Sequence, residues 1–237
     1  MTDTAEKPIV DGIDPLSPPY MVGPATGRFA AGSDPAKREQ IIDGAKRVFM
    51  RMGFDAASMN DVTREAGVSK GTIYVYFQSK EDLFAALMER EKGRFTEELR
   101  DILAHCDSVE SGLRDFALAF VRQILFTDMI PAMRTVIGVL NRMPGVCQRF
   151  LSTPTNARTV LQAFLARQVE AGVLVIDDTD LAARQFIDLS TGSYFKQRLF
   201  AEPSDTDGGE IERVVLSAVR VFLCAYSKTA PQMVPLS

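Results

Sequence analysis

From about residue 35 to residue 226 the apolar positions recur at intervals of three and four, the spacing of one face of an α-helix. Ile41, Ile42, Ala45, Val48, Phe49 and Met52 form the first stripe. Asp34-Pro35 opens it with proline at the first helical position, and Gly53 closes it. Leu83, Leu87, Phe95, Leu99 and Leu103 predict a long helix over about 80–104, and Leu113, Phe116, Ala117, Phe120, Val121 and Ile124 one over about 109–126. Pro131 and Pro144 punctuate shorter helices around 132–141 and 145–151. Three more are predicted at about 155–171, stopped by Gly172, at 179–199 and at 209–226. The apolar run Val173–Ile176 is too short for a convincing strand and sits in a connection. The expected fold is all-α, a three-helix N-terminal head joined through a long helix to a C-terminal helical bundle. Three units follow: a flexible arm over 1–32, rich in proline and glycine, a head over 33–79, and a bundle over 80–237.

One stretch, Asn60–Leu83, breaks this monotony with the grammar of a helix-turn-helix. Ser58 stands where an N-cap belongs, and Asp61 three residues later completes a capping box. Val62 and Ala66 give the short helix one apolar edge, and Gly67 is placed to stop it in a left-handed conformation. Ser69 caps the next helix, whose Ile73 and Phe77 turn inward at an i, i+4 spacing. Lys70, Gly71, Thr72, Tyr74 and Tyr76 are left for the outer face. Their hydroxyls and ammonium are groups that bond phosphates and base edges, and Gly71 lets a backbone approach closely. Ser79 and Asp82 cap the following helix, with Lys80 beside them.

The run AGVSKGTIYVYFQSKEDLF resembles the TetR/AcrR family of bacterial transcriptional regulators, with turn, recognition helix and the entry to the next helix agreeing in order from about Pro35 to Leu87. The resemblance implies that Ser69, Lys70, Thr72, Tyr74, Tyr76 and Lys80 face DNA and that Ser58 bonds a phosphate. The sequence departs from the family pattern at Thr63, where alanine is usual, and at Val75, where histidine is common. A second stretch, LQAFLARQVEAGVLVIDDTDLAARQFIDLSTG, preceded by RMPGVCQRF, resembles the C-terminal domain of AefR-type TetR regulators. That resemblance implies dimerisation through the last two long helices and a small-molecule pocket in the bundle.

The net charge of −4 over 237 residues alone argues against a nucleic-acid partner, but its distribution changes the picture. Nine basic and six acidic residues between Arg28 and Lys80 give that region +3 and leave −7 for the rest, a mildly basic head on an acidic body. Arg28 is the arm residue to test for a minor-groove contact. Cys106, Cys147, Cys224 and a single histidine, His105, form no metal-ligand spacing, so no metal and no cofactor are expected. No apolar run reaches membrane-span length and the N-terminus lacks a signal-peptide core, so no membrane partner is expected and a cytoplasmic, reduced protein is.

Within the body, Phe186, Leu189, Gly192, Phe195, Leu216, Val219, Phe222 and Leu223 are the expected dimer interface. Phe116, Phe120, Phe126, Met129, Met133, Phe150 and Phe164 are candidates for an effector pocket, since methionine and aromatic surfaces adapt to apolar guests. The function read from these features is a homodimeric repressor that binds a double-stranded DNA operator and is released by a small hydrophobic effector. A regulator without any effector is the alternative. An enzyme would need His105 or the Asp177–Asp178 pair as its base, and neither is accompanied by a nucleophile elbow or phosphate loop.

Overall fold

The structure is a computed structural model that describes residue 30 and residues 32–127, 129–139, 156–200 and 208–228. Nine helices lie in these residues: α1 Pro35–Met52, α2 Met59–Ala66, α3 Lys70–Tyr76, α4 Lys80–Ala104, α5 Val109–Phe126, α6 Met129–Val139, α7 Ala157–Glu170, α8 Thr179–Phe200 and α9 Gly208–Tyr226. The all-α expectation holds. Its boundaries follow from the caps. Asp34 accepts the backbone N–H groups of Ala36 and Lys37, Ser58 and Asp61 form the reciprocal box, and Ser69 and Ser79 accept from Thr72 and Asp82. Ser108 with Ser111 and Asn156 with Thr159 do the same for α5 and α7.

One predicted boundary is wrong. α6 begins at Met129, so Pro131 lies inside its first turn rather than ahead of it. First-turn N–H groups have no intrahelical acceptor, so proline costs the helix nothing there. The helix expected at 145–151 and the arm with Arg28 lie outside the described residues. The run after α7 forms a single antiparallel bridge, Leu174 with Ser227, supported by the Val175 N–H donating to the Tyr226 carbonyl at 2.9 Å.

Two cores result. The head core gathers Ile41, Ile42, Val48, Phe49 and Phe54 with Val62, Ile73 and Phe77, and it continues past residue 79 through Leu83, Phe84 and Leu87 of α4. The rings of Phe49, Phe54 and Phe84 meet with centroids 4.9–5.7 Å apart. The α1–α2 approach is close enough to require glycine. A Cβ at Gly44 would fall 2.7 Å from Ala66 Cβ and 2.9 Å from its Cα. The body core runs through α4, α5 and α7–α9, with Leu99, Leu113, Phe116, Leu161, Phe164 and Phe186 fully buried. α6 belongs to both: Ala132 and Val136 close the head core while Ile130 packs in the body.

The joint between α1 and α4 is electrostatic. Arg90, its side chain 9% exposed, bonds Glu39 at 3.0 Å, Asp43 at 2.7 Å and Glu91 at 3.0 Å. Burial works against the guanidinium's charge, yet the three carboxylates outweigh it and raise the pKa. Burial also opposes ionisation of Glu91, and its bonds to Lys46 and Arg90 overcome that and hold the carboxyl below the ordinary glutamate range.

Candidate nucleic-acid interface and cavity

The turn between α2 and α3 is set by Gly67, at φ +64°, whose N–H bonds back to Arg64 and Thr63 carbonyls. Only a residue free of a Cβ takes that conformation without strain. It turns α3 so that Ile73 is sealed in the core while Lys70, Gly71 and Tyr74 stand exposed, Tyr74 at 45%. Lys70 makes no ion pair or hydrogen bond among the described residues, so its ammonium is uncommitted. Thr72 is half-buried and its hydroxyl shares a 2.7 Å hydrogen bond with Ser69. A Cβ at Gly71 would meet nothing nearer than Ser69 Oγ at 3.8 Å, so nothing inside the protein demands glycine there.

Other residues expected on this face are committed elsewhere. Lys80 turns inward: its ammonium donates to the carbonyls of Phe54 at 2.8 Å and Asp55 at 3.2 Å and sits 4.5 Å above the Phe54 ring. Tyr76 is half-buried against the head core. Ser58 donates to Asp61 Oδ2 at 2.6 Å while accepting the Asp61 N–H, so its hydroxyl is used within the box. Val75, at the family's departing position, is exposed, and the chain just before α1 passes over it. A Cβ on Gly32, at φ +85°, would lie 3.1 Å from Val75 Cγ1. The basic excess of the head is likewise partly spent, because Arg47 and Arg51 share Glu65 and Arg64 pairs with Asp61. Hydrogen bonds from the two guanidiniums lower the Glu65 pKa, and the bond from Ser58 chiefly lowers that of Asp61.

A cavity of about 1150 Å³ lies between head and body, bounded by α1, α4, α5, α6, the start of α7, and α8. Four of the expected pocket residues line it: Phe120, Phe126, Met129 and Met133. Phe116 and Phe164, each 1% exposed, do not; they are body core, Phe116 lying behind Phe120 with ring centroids 6.1 Å apart. Phe126 is also 61% exposed, which puts it at an edge. Phe150 lies outside the described residues. The sequence reading missed the charged part of the wall, Lys46, Glu91, Lys92, Arg158, Arg184 and Asp188. One signal was available: the α4 stripe steps by four through Leu83, Leu87, Phe95, Leu99 and Leu103 and skips Glu91.

The expected dimer face also divides. Phe186, Val219 and Phe222 are buried within the chain, because α5, α8 and α9 pack on one another and use that stripe first. Phe195 lines the cavity. Leu189 and Leu216 are exposed, Leu223 is half-buried, and a Cβ on Gly192 would meet open space. Together with Val221 these leucines line a shallow groove on α8 and α9.

The remaining candidates have structural explanations. His105 ends α4 with its ring nitrogen 2.9 Å from the Asp101 carbonyl, and the Cys106 thiol contacts the Leu103 carbonyl at 3.5 Å. Asp178 accepts the Leu181 N–H at the start of α8. Among the described residues no group of His, Cys, Asp and Glu could hold a metal ion, and no single helix is long and apolar enough to cross a membrane.

Two short helices around a left-handed glycine, the second with donors outward, define a helix-turn-helix protein. Residues 41–87 match the tetR family of bacterial regulatory proteins, and residues 111–228 match the AefR-like transcriptional repressor C-terminal domain. The fatty acid metabolism regulator protein of Bacillus subtilis is 28% identical over 160 residues, 60% of this chain and 81% of that protein. Among solved structures, the flavonoid-responsive regulator FrrA is 30% identical with a TM-score of 0.63, covering 83% of this chain and 100% of that one. A TetR family regulator from Pseudomonas syringae pv. tomato is 26% identical with a TM-score of 0.62, covering 82% and 98%. The chain belongs to the TetR family of DNA-binding transcriptional regulators; it is a regulator and not an enzyme.

Proposed function

We propose that this protein is a homodimeric repressor that grips its operator with α3 and is released when a small hydrophobic molecule fills the cavity between head and body. The observation that carries the reading is the exposed, uncommitted Lys70 beside Tyr74 on a helix whose opposite face is sealed in the core. In this reading Lys70 neutralises a phosphate, Tyr74 and Thr72 reach base edges or sugar, and Gly71 lets the duplex approach the backbone. Ser58, Ser69 and Lys80 hold the reading surface in shape through the hydrogen bonds they already make, and Tyr76 through its packing on the head core.

The open face of Leu189, Leu216, Val221 and Leu223 is the surface proposed to meet its own copy across a two-fold axis. Such an axis would set paired recognition helices about 34–36 Å apart, one turn of the duplex. The effector reading is supported by the size and apolar lining of the cavity, and by relatives whose names refer to fatty acid metabolism and to flavonoid response. Release would work by population shift, the effector favouring the head arrangement that fits the operator less well.

Selection of bound fragments from random duplexes with the purified protein tests the first half. A recovered inverted repeat whose binding collapses in Tyr74→Ala is the expected result. Recovery of unrelated sequences would end the reading. Titrating that complex with hydrophobic extracts tests the second half, and a complex that never dissociates favours an effector-independent regulator.

A further inference from the structure

Resting on the effector reading above, we infer that the cavity selects an uncharged apolar guest that carries a hydrogen-bond donor, a hydroxyl or N–H group that donates to the side-chain oxygens of Thr96 and Thr191. Among the described residues the buried polar side chains are Thr96, Ser190 and Thr191, and two of these three line this cavity. Thr96, on α4, is 3% exposed and Thr191, on α8, is 6% exposed. Their neighbours in the wall are aromatic, Phe95 next to Thr96 and Phe195 one turn beyond Thr191.

A threonine hydroxyl holds one hydrogen and two lone pairs. In both residues the hydrogen is already spent on the carbonyl one turn back: Thr96 donates to the Lys92 carbonyl at 2.7 Å and Thr191 to the Ile187 carbonyl at 2.7 Å. Lone pairs are what each oxygen has left, and among the described residues neither oxygen accepts a hydrogen bond. A donor on the guest satisfies such an oxygen, whereas an ether or a ketone of the same shape brings only more lone pairs to it. The cations of the wall do not offer an anion the equivalent contact. Lys46 lies 2.7 Å from Glu91, Arg158 and Arg184 both pair with Asp180, and Lys92 is engaged as well. Valine would fill the two positions without burying an oxygen, so the threonines cost the empty cavity something that a donating guest offsets.

The test is fluorescence titration of β-naphthol, its methyl ether and naphthalene with the full-length protein, whose lack of tryptophan leaves the naphthalene emission clear. The naphthol should bind roughly 5- to 100-fold more tightly than the ether, the range set by leaving a buried acceptor unpaired, and the ether no more tightly than naphthalene. Thr96→Val and Thr191→Val should each narrow the gap and together erase it, while ether binding and operator binding stay unchanged; the two serine substitutions should keep it. Equal affinity for naphthol and ether in the unaltered protein would overturn the inference while leaving a hydrophobic effector standing. So would a gap that survives the double valine variant and is lost in Asp188→Asn, which would assign the contact to that carboxylate. If none of the three binds, the effector reading itself fails together with this one.

Discussion

The head and the body are both helical, yet they are specified differently. In the head, short helices are fixed end by end: Asp34, Ser58, Ser69 and Ser79 start them, and Gly53 and Gly67 stop two of them. Several of its outward charges are laced into pairs, whereas exposed Lys70 makes none among the described residues. In the body, long helices offer several apolar stripes each, and packing decides which becomes core, cavity wall or open face. The proposed function sits where the head has left groups uncommitted and where the body has left space unfilled.

The largest test of that contrast separates core from cavity wall. Phe164→Ala should cost the body about 3–5 kcal/mol in denaturant unfolding, whereas Phe126→Ala should stay within about 0.5 kcal/mol. Similar losses for both would mean that the wall is structural core. In the head, Gly44→Ala forces a methyl group into the Ala66 backbone and should cost about 1–3 kcal/mol, with operator binding falling alongside. An unchanged melting temperature would show that α1 and α2 can slide.

Next come the two lysines. Lys70→Ala should weaken all DNA sequences alike and reduce the salt dependence of binding by about one unit, with no change in stability. Lys80→Ala should do the reverse, losing about 1 kcal/mol of stability by freeing two carbonyls while leaving the salt slope alone. Smaller still, Gly71→Ala should stabilise the free protein by up to about 1 kcal/mol and yet impair operator binding, since nothing inside the protein needs that space and the proposed approach of the duplex does. The smallest effect is in acid. Glu65, Asp61 and Glu91 have lowered pKa values in the folded head, so their contribution is complete at neutral pH and fades as the pH falls below the ordinary carboxylate range. A melting temperature flat through that range would remove them from the account.

What could be read from residue order follows the same division. Caps and glycine stops are local, so α4 and α5 were placed to the residue and the helix-turn-helix was legible from Ser58 to Asp82. Period alone cannot sort a stripe among its uses. Phe164 and Met133 look alike in the sequence, and only the packing of α7 against α8 makes the first a core residue. Phe186 and Leu189 differ by less than one helical turn, and one faces inward while the other faces solvent. Lys80 was misassigned because its acceptors, the carbonyls of Phe54 and Asp55, lie 26 and 25 residues away. The charged wall of the cavity comes from four helices, so no single window of sequence could assemble it.

α6 has a consequence of its own. Ala132 and Val136 plug the floor of the head, neighbouring Met133 looks into the cavity, and Arg134 ties the same helix to the Leu199 and Arg198 carbonyls at the end of α8. If the proposed release by a guest is right, a helix shared in this way cannot report in one direction only. Thermodynamic reciprocity requires that whatever factor a guest takes from the grip on the duplex, the duplex takes from the grip on the guest. Operator fragments added to the loaded protein would therefore act as an expelling agent, and the genome itself would set how much guest the cell must accumulate before the switch turns.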